Sequence, residues 1–150
     1  MRALIQRVSE ARVKVDDNIT GEINSGLLVF LGIGKEDGRK EAEFLADKII
    51  NLRVFPDNND KMNLSAIDEN KDLLIVSQFT LYGDCSQGRR PSFFEAASPE
   101  KAEELYHYFV DILKESDLRI ETGRFKEMMD VELINDGPVT FYLDTEKLQE

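Results

Sequence analysis

Tryptophan is absent from this chain of 150 residues, and cysteine and histidine occur once each, as Cys85 and His107. A lone cysteine cannot close an intramolecular disulfide, so a reducing, cytoplasmic compartment is the expectation. One histidine and one cysteine also leave no His-centred metal site. A Ser-His-Asp or Cys-His triad would need His107 as its base. That residue sits mid-helix, where a structural or exposed role is expected. Asp57 and Asp60 lack the glycine and terminal glutamate that a calcium loop requires, so no metal is expected. No stretch approaches membrane-spanning length, and Met1 to Arg7 is too short an apolar run for a signal peptide. Gly32, Gly34 and Gly38 fit neither the dinucleotide fingerprint nor the phosphate-binding loop. They are expected to punctuate a loop, and no cofactor is expected.

Positive charge is also scarce. Lysine and arginine number 19 against 30 aspartates and glutamates, a net charge of −11. Such a balance argues against broad nucleic-acid binding, which shows a basic footprint. The charge is uneven, however. Arg2, Arg7, Arg12 and Lys14 face only Glu10 in the first fifteen residues, and Arg89-Arg90 form a second basic point. The acidic excess falls in helical stretches and at the C-terminal end, including Glu100, Glu103, Glu104, Glu146 and Glu150. Solvated faces without a partner explain the charge alone; a local basic site on an acidic body stays open.

What is present reads as one α/β domain over residues 1–150. Leu4 to Val15 alternates with β-branched enrichment and predicts a strand. Gly21 to Asn24 reads as a turn, and Gly26 to Ile33 as a buried strand. Residues 39–52 place Ala42, Leu45, Ala46, Ile49 and Leu52 at helical spacing. Pro56 to Asp60 is a loop, and Leu73 begins another buried strand. Ser98-Pro99 predicts a helix start, followed by the stripe Ala102, Leu105, Tyr106, Phe109, Val110 and Leu113. Leu118 to Thr122 and Met129 to Ile134 are further strands. The expected architecture is a set of curved, mostly antiparallel or mixed sheets forming a barrel-like core, with two main helices packed outside.

Three places carry candidate chemistry. Ser77-Gln78-Phe79-Thr80-Leu81 turns polar at the end of a buried run, which predicts a rim facing a cleft. Strand alternation would put Ser77 and Phe79 on one face and Gln78 and Thr80 on the other. A plain strand end explains this as readily, and Thr80 as nucleophile has no base supplied nearby in sequence. Arg7 within a strand must be paired or bonded to carbonyls. Phe125 and Met129 offer a soft wall for a planar ring, or ordinary core. Asn135-Asp136-Gly137-Pro138-Val139-Thr140 separates two strand-like runs. Asn-Asp-Gly signals a tight hairpin, but Pro138 removes a donor and biases Gly137 towards extended backbone. Local rules leave it as punctuation, or as a rigid tip of bare carbonyls.

In combination these segments resemble the D-aminoacyl-tRNA deacylase family, also called D-tyrosyl-tRNA deacylase, of the bacterial type. The resemblance runs over Ala3 to Val8, Lys61 to Leu64, Ser77 to Leu81, Arg90 to Phe93, Thr122 to Phe125 and Asn135 to Thr140. Lys126 and Glu127 depart from it, since the family has small residues there. The resemblance implies a homodimer with active sites at its interface, where a cis Gly137-Pro138 tip enters the partner's pocket and Arg7 holds that tip. It implies that Ser77, Gln78, Phe79 and Thr80 line the aminoacyl pocket and that Phe125 and Met129 hold the terminal adenosine. The substrate would be D-aminoacyl-tRNA, and glycyl-tRNA too. Backbone N–H groups near Phe79 and Thr80 would stabilise the oxyanion, with help from the tRNA 2′-hydroxyl. A non-catalytic RNA- or nucleotide-binding module and a purely structural dimer are the alternatives.

Overall fold

The computed structural model describes residues 1–148, so Glu150 lies outside the described residues. Its central element is β1 (Arg2–Val15), which pairs antiparallel with β2 (Asn18–Ile23), β3 (Gly26–Gly32) and β8 (Asp130–Asp144). One strand can serve three partners because β3 takes Arg2 to Val8 and β2 takes Ala11 to Val15 in succession, while β8 pairs along nearly the whole of β1. Its buried residues are Ala3 and Ile5, then Val8, then Ala11, Val13 and Val15, so the inward parity slips twice. Both slips coincide with register shifts against β8, between Gln6 and Val8 and between Val8 and Glu10. A one-residue slip exchanges the faces of a strand. Here it lets Ala3 and Ile5 join a core under the helices, while Val8, Ala11 and Val13 join a second core with Leu28, Leu74 and Val76.

From β3 the sheet continues in parallel to β6 (Asp72–Ser77) and then β7 (Ile120–Thr122). Parallel neighbours require crossovers. The first contains α1 (Arg39–Asn51), the small hairpin of β4 (Phe55–Pro56) and β5 (Met62–Leu64), and α2 (Ala66–Glu69). The second contains a 3₁₀ turn (Phe79–Tyr82) and α3 (Pro99–Lys114). The edges β2 and β7 approach so closely that a Cβ on Gly21 would lie 2.2 Å from the Thr122 carbonyl oxygen. The mixed sheet is therefore a nearly closed barrel, with α1 and α3 packed outside it. No helix among the described residues is long and apolar enough to cross a membrane.

The predicted class and both main helices agree with this. Ser98 caps α3, its hydroxyl accepting from the Lys101 N–H at 3.4 Å, with Pro99 next. Three local expectations differ. Gly21 to Asn24 is not simply a turn, since Gly21 to Ile23 pair with β1. The short β4, β5 and α2 carry too few periodic residues to be seen. The runs around Gly137-Pro138 do not form a hairpin with each other. They are parts of the single strand β8, and both pair with β1.

Candidate active site

β6 ends at Ser77, and the strand alternation expected through Thr80 does not continue. Gln78 leaves the strand at φ −146°, ψ 82°, and Phe79 to Tyr82 wind into the 3₁₀ turn. The Gln78 N–H still donates to Leu31 at 2.8 Å, which anchors the turn to β3. The turn's own bonds run from Leu81 N–H to the Gln78 carbonyl at 3.2 Å and from Gly83 N–H to the Thr80 carbonyl at 2.9 Å. The N–H groups of Phe79 and Thr80 precede the first of these and have no partner within the turn. The Gln78 amide donates to the Thr80 hydroxyl, so both polar side chains lie on the same side of the bend.

Beside the turn lies a cavity of about 670 Å³. Ser77, Gln78 and Phe79 line one side, and the segment Phe125 to Met129 lines another. Leu31, Ile33, Val76, Phe93, Ala96, Ala97, Pro99, Ala102 and Val131 complete its largely apolar wall. Phe79 is 59% exposed, and its ring stands 5.0 Å from that of Phe93, centroid to centroid. Phe125 rests on Tyr106 at 5.7 Å. The Tyr106 hydroxyl donates to the Ile75 carbonyl at 2.7 Å and is buried, which pushes its pKa up and keeps it neutral. Met129 is seated over Gly123, where a Cβ would come within 2.6 Å of its sulfur. Lys126 takes a left-handed φ of 72° and, with Glu127, also lines the cavity.

Five of the nine residues singled out from sequence thus line one cavity: Ser77, Gln78, Phe79, Phe125 and Met129. Thr80 is exposed beside it, and Arg7, Gly137 and Pro138 do not line it. Phe93, Ala96, Ala97 and Met128 are lining residues that sequence reasoning gave no role. Phe93 belongs to the Arg90-Pro91-Ser92-Phe93 segment, and that segment was the available signal.

Arg7, Gly137 and Pro138 form a second assembly on β1 and β8. The Arg7 guanidinium is only 12% exposed. Its Nη1 donates to the Val54 carbonyl at 2.7 Å and its Nε to the Asp136 carbonyl at 3.0 Å. Asn135 clamps the other side: Val139 N–H donates to its Oδ1 at 2.7 Å, and its Nδ2 donates to the Val139 carbonyl at 3.2 Å. Between these clamps the Gly137–Pro138 peptide is cis and both residues are exposed. Among the described residues no side chain donates to either carbonyl, and neither residue enters the pairing register. Position 137 has no space for a side chain, since a Cβ would stand 2.5 Å from the Val139 nitrogen.

His107 is exposed on α3 and Cys85 is exposed in the loop after the turn. Among the described residues no group of three or more His, Cys, Asp and Glu side chains is arranged to hold a metal ion.

Comparison with known proteins finds relatives over nearly the whole chain. A D-aminoacyl-tRNA deacylase of Thermotoga petrophila is 56% identical over 148 residues, covering 99% of each chain. One of Halothermothrix orenii is 56% identical over 147 residues, covering 98% of this chain and 99% of its own. Among solved structures, the c-Myc DNA unwinding element binding protein superposes with a TM-score of 0.91 at 40% identity, covering 96% of this chain and 98% of its own. A probable eukaryotic D-amino acid tRNA deacylase shares the fold at a TM-score of 0.83 and 16% identity, covering 95% of this chain and 97% of its own. The family model described as D-Tyr-tRNA(Tyr) deacylase spans residues 4–144, and the chain belongs to that family.

Proposed function

We propose that this protein hydrolyses the ester bond of D-aminoacyl-tRNA, and of glycyl-tRNA, releasing the amino acid and free tRNA. The observation that carries the reading is the shared cavity, which sets an aromatic and thioether wall (Phe125, Met129) against the end of β6 and the start of the 3₁₀ turn (Ser77, Gln78, Phe79). The wall suits a planar adenine, and the polar groups opposite suit its ribose and ester. An aminoacyl ester is already activated. Its hydrolysis needs a placed water and donors for the oxyanion more than a strong nucleophile. The N–H groups of Phe79 and Thr80 are the proposed donors, and the 2′-hydroxyl of the terminal ribose is the proposed assisting group.

Selection against L-esters is assigned to the tip. Its bare Gly137 and Pro138 carbonyls would hold the substrate ammonium and leave no volume for an L side chain, rejecting by clash and by unpaired polar groups. Because Gly137 and Pro138 do not line this chain's own cavity, the tip is proposed to act in the cavity of a second copy within a homodimer. Exposed Ile134, Phe141 and Tyr142 on β8 supply apolar surface for that contact. Purified protein is expected to release D-amino acids from tRNA while sparing L-aminoacyl-tRNA. Equal cleavage of both overturns the proposal.

A second reading is a non-catalytic nucleic-acid-binding module, favoured by the likeness to the c-Myc DNA unwinding element binding protein. The net charge of −11 weighs against it. Single-turnover hydrolysis by enzyme free of other deacylases separates the two.

A further inference from the structure

The 3₁₀ turn that carries Phe79 and Thr80 is held from two sides by groups that touch none of the cavity. Beneath it are the glycines that follow the apolar run of β3. A Cβ on Gly32 would lie 3.0 Å from the Gln78 carbonyl oxygen and from the Leu81 Cβ, and one on Gly34 would lie 2.8 Å from the Tyr82 ring. Only glycine lets the turn lie this close. Tyr82 is buried there, and its hydroxyl donates to Asp37 Oδ2 at 3.3 Å. Burial and the Asp37 charge both push its pKa up, so it stays a neutral donor. Asp37 is fixed in turn by the Gly34 N–H at 2.6 Å and by the Met1 ammonium at 2.7 Å.

From above comes Arg2. Its guanidinium lies 4.2 Å from the Tyr82 ring centroid, its Nη1 donates to the Leu81 carbonyl at 2.9 Å, and its Nε donates to Asp144 Oδ2 at 3.3 Å. Asp144 is buried at the end of β8. A carbonyl late in a 3₁₀ turn has no acceptor role inside the turn, and arginine alone combines a planar stack with divergent donors.

We infer that Arg2 is a positioning residue: by tying the Leu81 carbonyl to the buried Asp144 carboxylate, it fixes where Gln78, Phe79 and Thr80 stand against the cavity. Gly32 sets the same position from below. The inference rests on the deacylase reading and adds that the turn is clamped independently of the tip that selects chirality. A displacement of about 1 Å at a catalytic group can cost about 100-fold in rate, so small shifts of this turn carry a kinetic signature.

The test compares wild-type protein with Arg2→Lys and Gly32→Ala in single-turnover and steady-state hydrolysis of D-aminoacyl-tRNA, with L-aminoacyl-tRNA and thermal midpoints alongside. Lysine keeps a charge for Asp144 but loses the stack and one donor direction; alanine pushes the turn by tenths of an ångström. Both are expected to lower kcat roughly 10-fold or more, with KM within about twofold and L-esters still spared. A KM rise that carries the loss, or lost discrimination between D and L, overturns the positioning role. If Arg2→Lys fails to fold, Gly32→Ala decides by the same criteria. Wild-type protein inactive on D-esters overturns the deacylase reading beneath the inference. Active wild type with both variants equal to it in kcat overturns the inference alone.

Discussion

Thr80 and Arg7 show how far single residues disclose their work. The Thr80 hydroxyl is bonded by the Gln78 amide, and the chain's one histidine is exposed on α3. On the proposed function, a bare threonine in that setting is assigned to orient rather than attack. Thr80→Ala is therefore expected to lower kcat by no more than about 100-fold, far short of the roughly 10⁶-fold that loss of a covalent nucleophile costs. Complete inactivation with the fold intact, together with a trapped acyl-enzyme, counts against this. Arg7 was legible as a strand arginine that had to be paired or bonded to carbonyls, and it meets the carbonyls of Val54 and Asp136 with the Asp136 carboxylate 3.5 Å from its Nε. Arg7→Ala strands both and is expected to cost about 1–3 kcal/mol in urea unfolding. On the proposed function it also loosens the tip, so L-aminoacyl-tRNA cleavage is expected to rise. Gly32 and Gly34 were read as punctuation because a glycine does not declare which neighbour comes close; only the folded turn supplies Tyr82.

At the scale of elements, periodicity exposed the long pieces and β7 but missed β4, β5, α2 and the 3₁₀ turn. α1 and α3 announced themselves through repeated apolar stripes and the Ser98-Pro99 start. The 3₁₀ turn did not, because four residues of Phe-Thr-Leu-Tyr look like continued strand until tertiary contacts bend them. α3 supports the cavity through Tyr106, whose hydroxyl reaches the Ile75 carbonyl within β6. Tyr106→Phe leaves that carbonyl short of a donor and is expected to cost about 1 kcal/mol, with kcat preserved, as unfolding and kinetics together will show. The small elements β4, β5 and α2 hold together through carboxylates. Asp57 accepts from the Lys61 and Asn59 N–H groups, and Asp68 from the Ser65 N–H, and these bonds draw both pKa values below the usual carboxylate value. A depressed folded-state pKa contributes stability above the unfolded value, lost as pH falls through the folded one. Urea midpoints are thus expected to hold above about pH 4 and fall below it, and to fall less steeply in Asp57→Asn than in wild type.

For the whole molecule, composition and alternation were enough to give an α/β domain with two main helices packed against curved sheets. Closure was not legible, since it depends on β1 slipping register twice and on β2 meeting β7 at Gly21, and such contacts join residues far apart in sequence. The cavity was legible only in halves. Ser77 to Phe79 and Phe125 to Met129 are separated by some fifty residues, and α3 with its preceding loop brings them together. The proposed dimer gives a whole-molecule expectation: light scattering is expected to return twice the chain mass. Charge on Ile134 and Tyr142 (I134E/Y142E) is expected to return a single chain mass with the fold kept and deacylation lost. A monomer with full activity and full D/L discrimination removes the cross-subunit tip.

β8 is fastened to β1 on both sides of the tip, from Arg2↔Asp144 to Gln6↔Thr140 and again from Val8↔Asn135 to Lys14↔Asp130. Residues 136–139 fall in the gap between those two blocks. On the proposed function, the stereochemical reader is therefore an insert between two separately paired blocks. On that reading, substitutions at the exposed tip are expected to change D/L discrimination while the rungs on either side stay paired, as deacylation assays alongside urea unfolding will show.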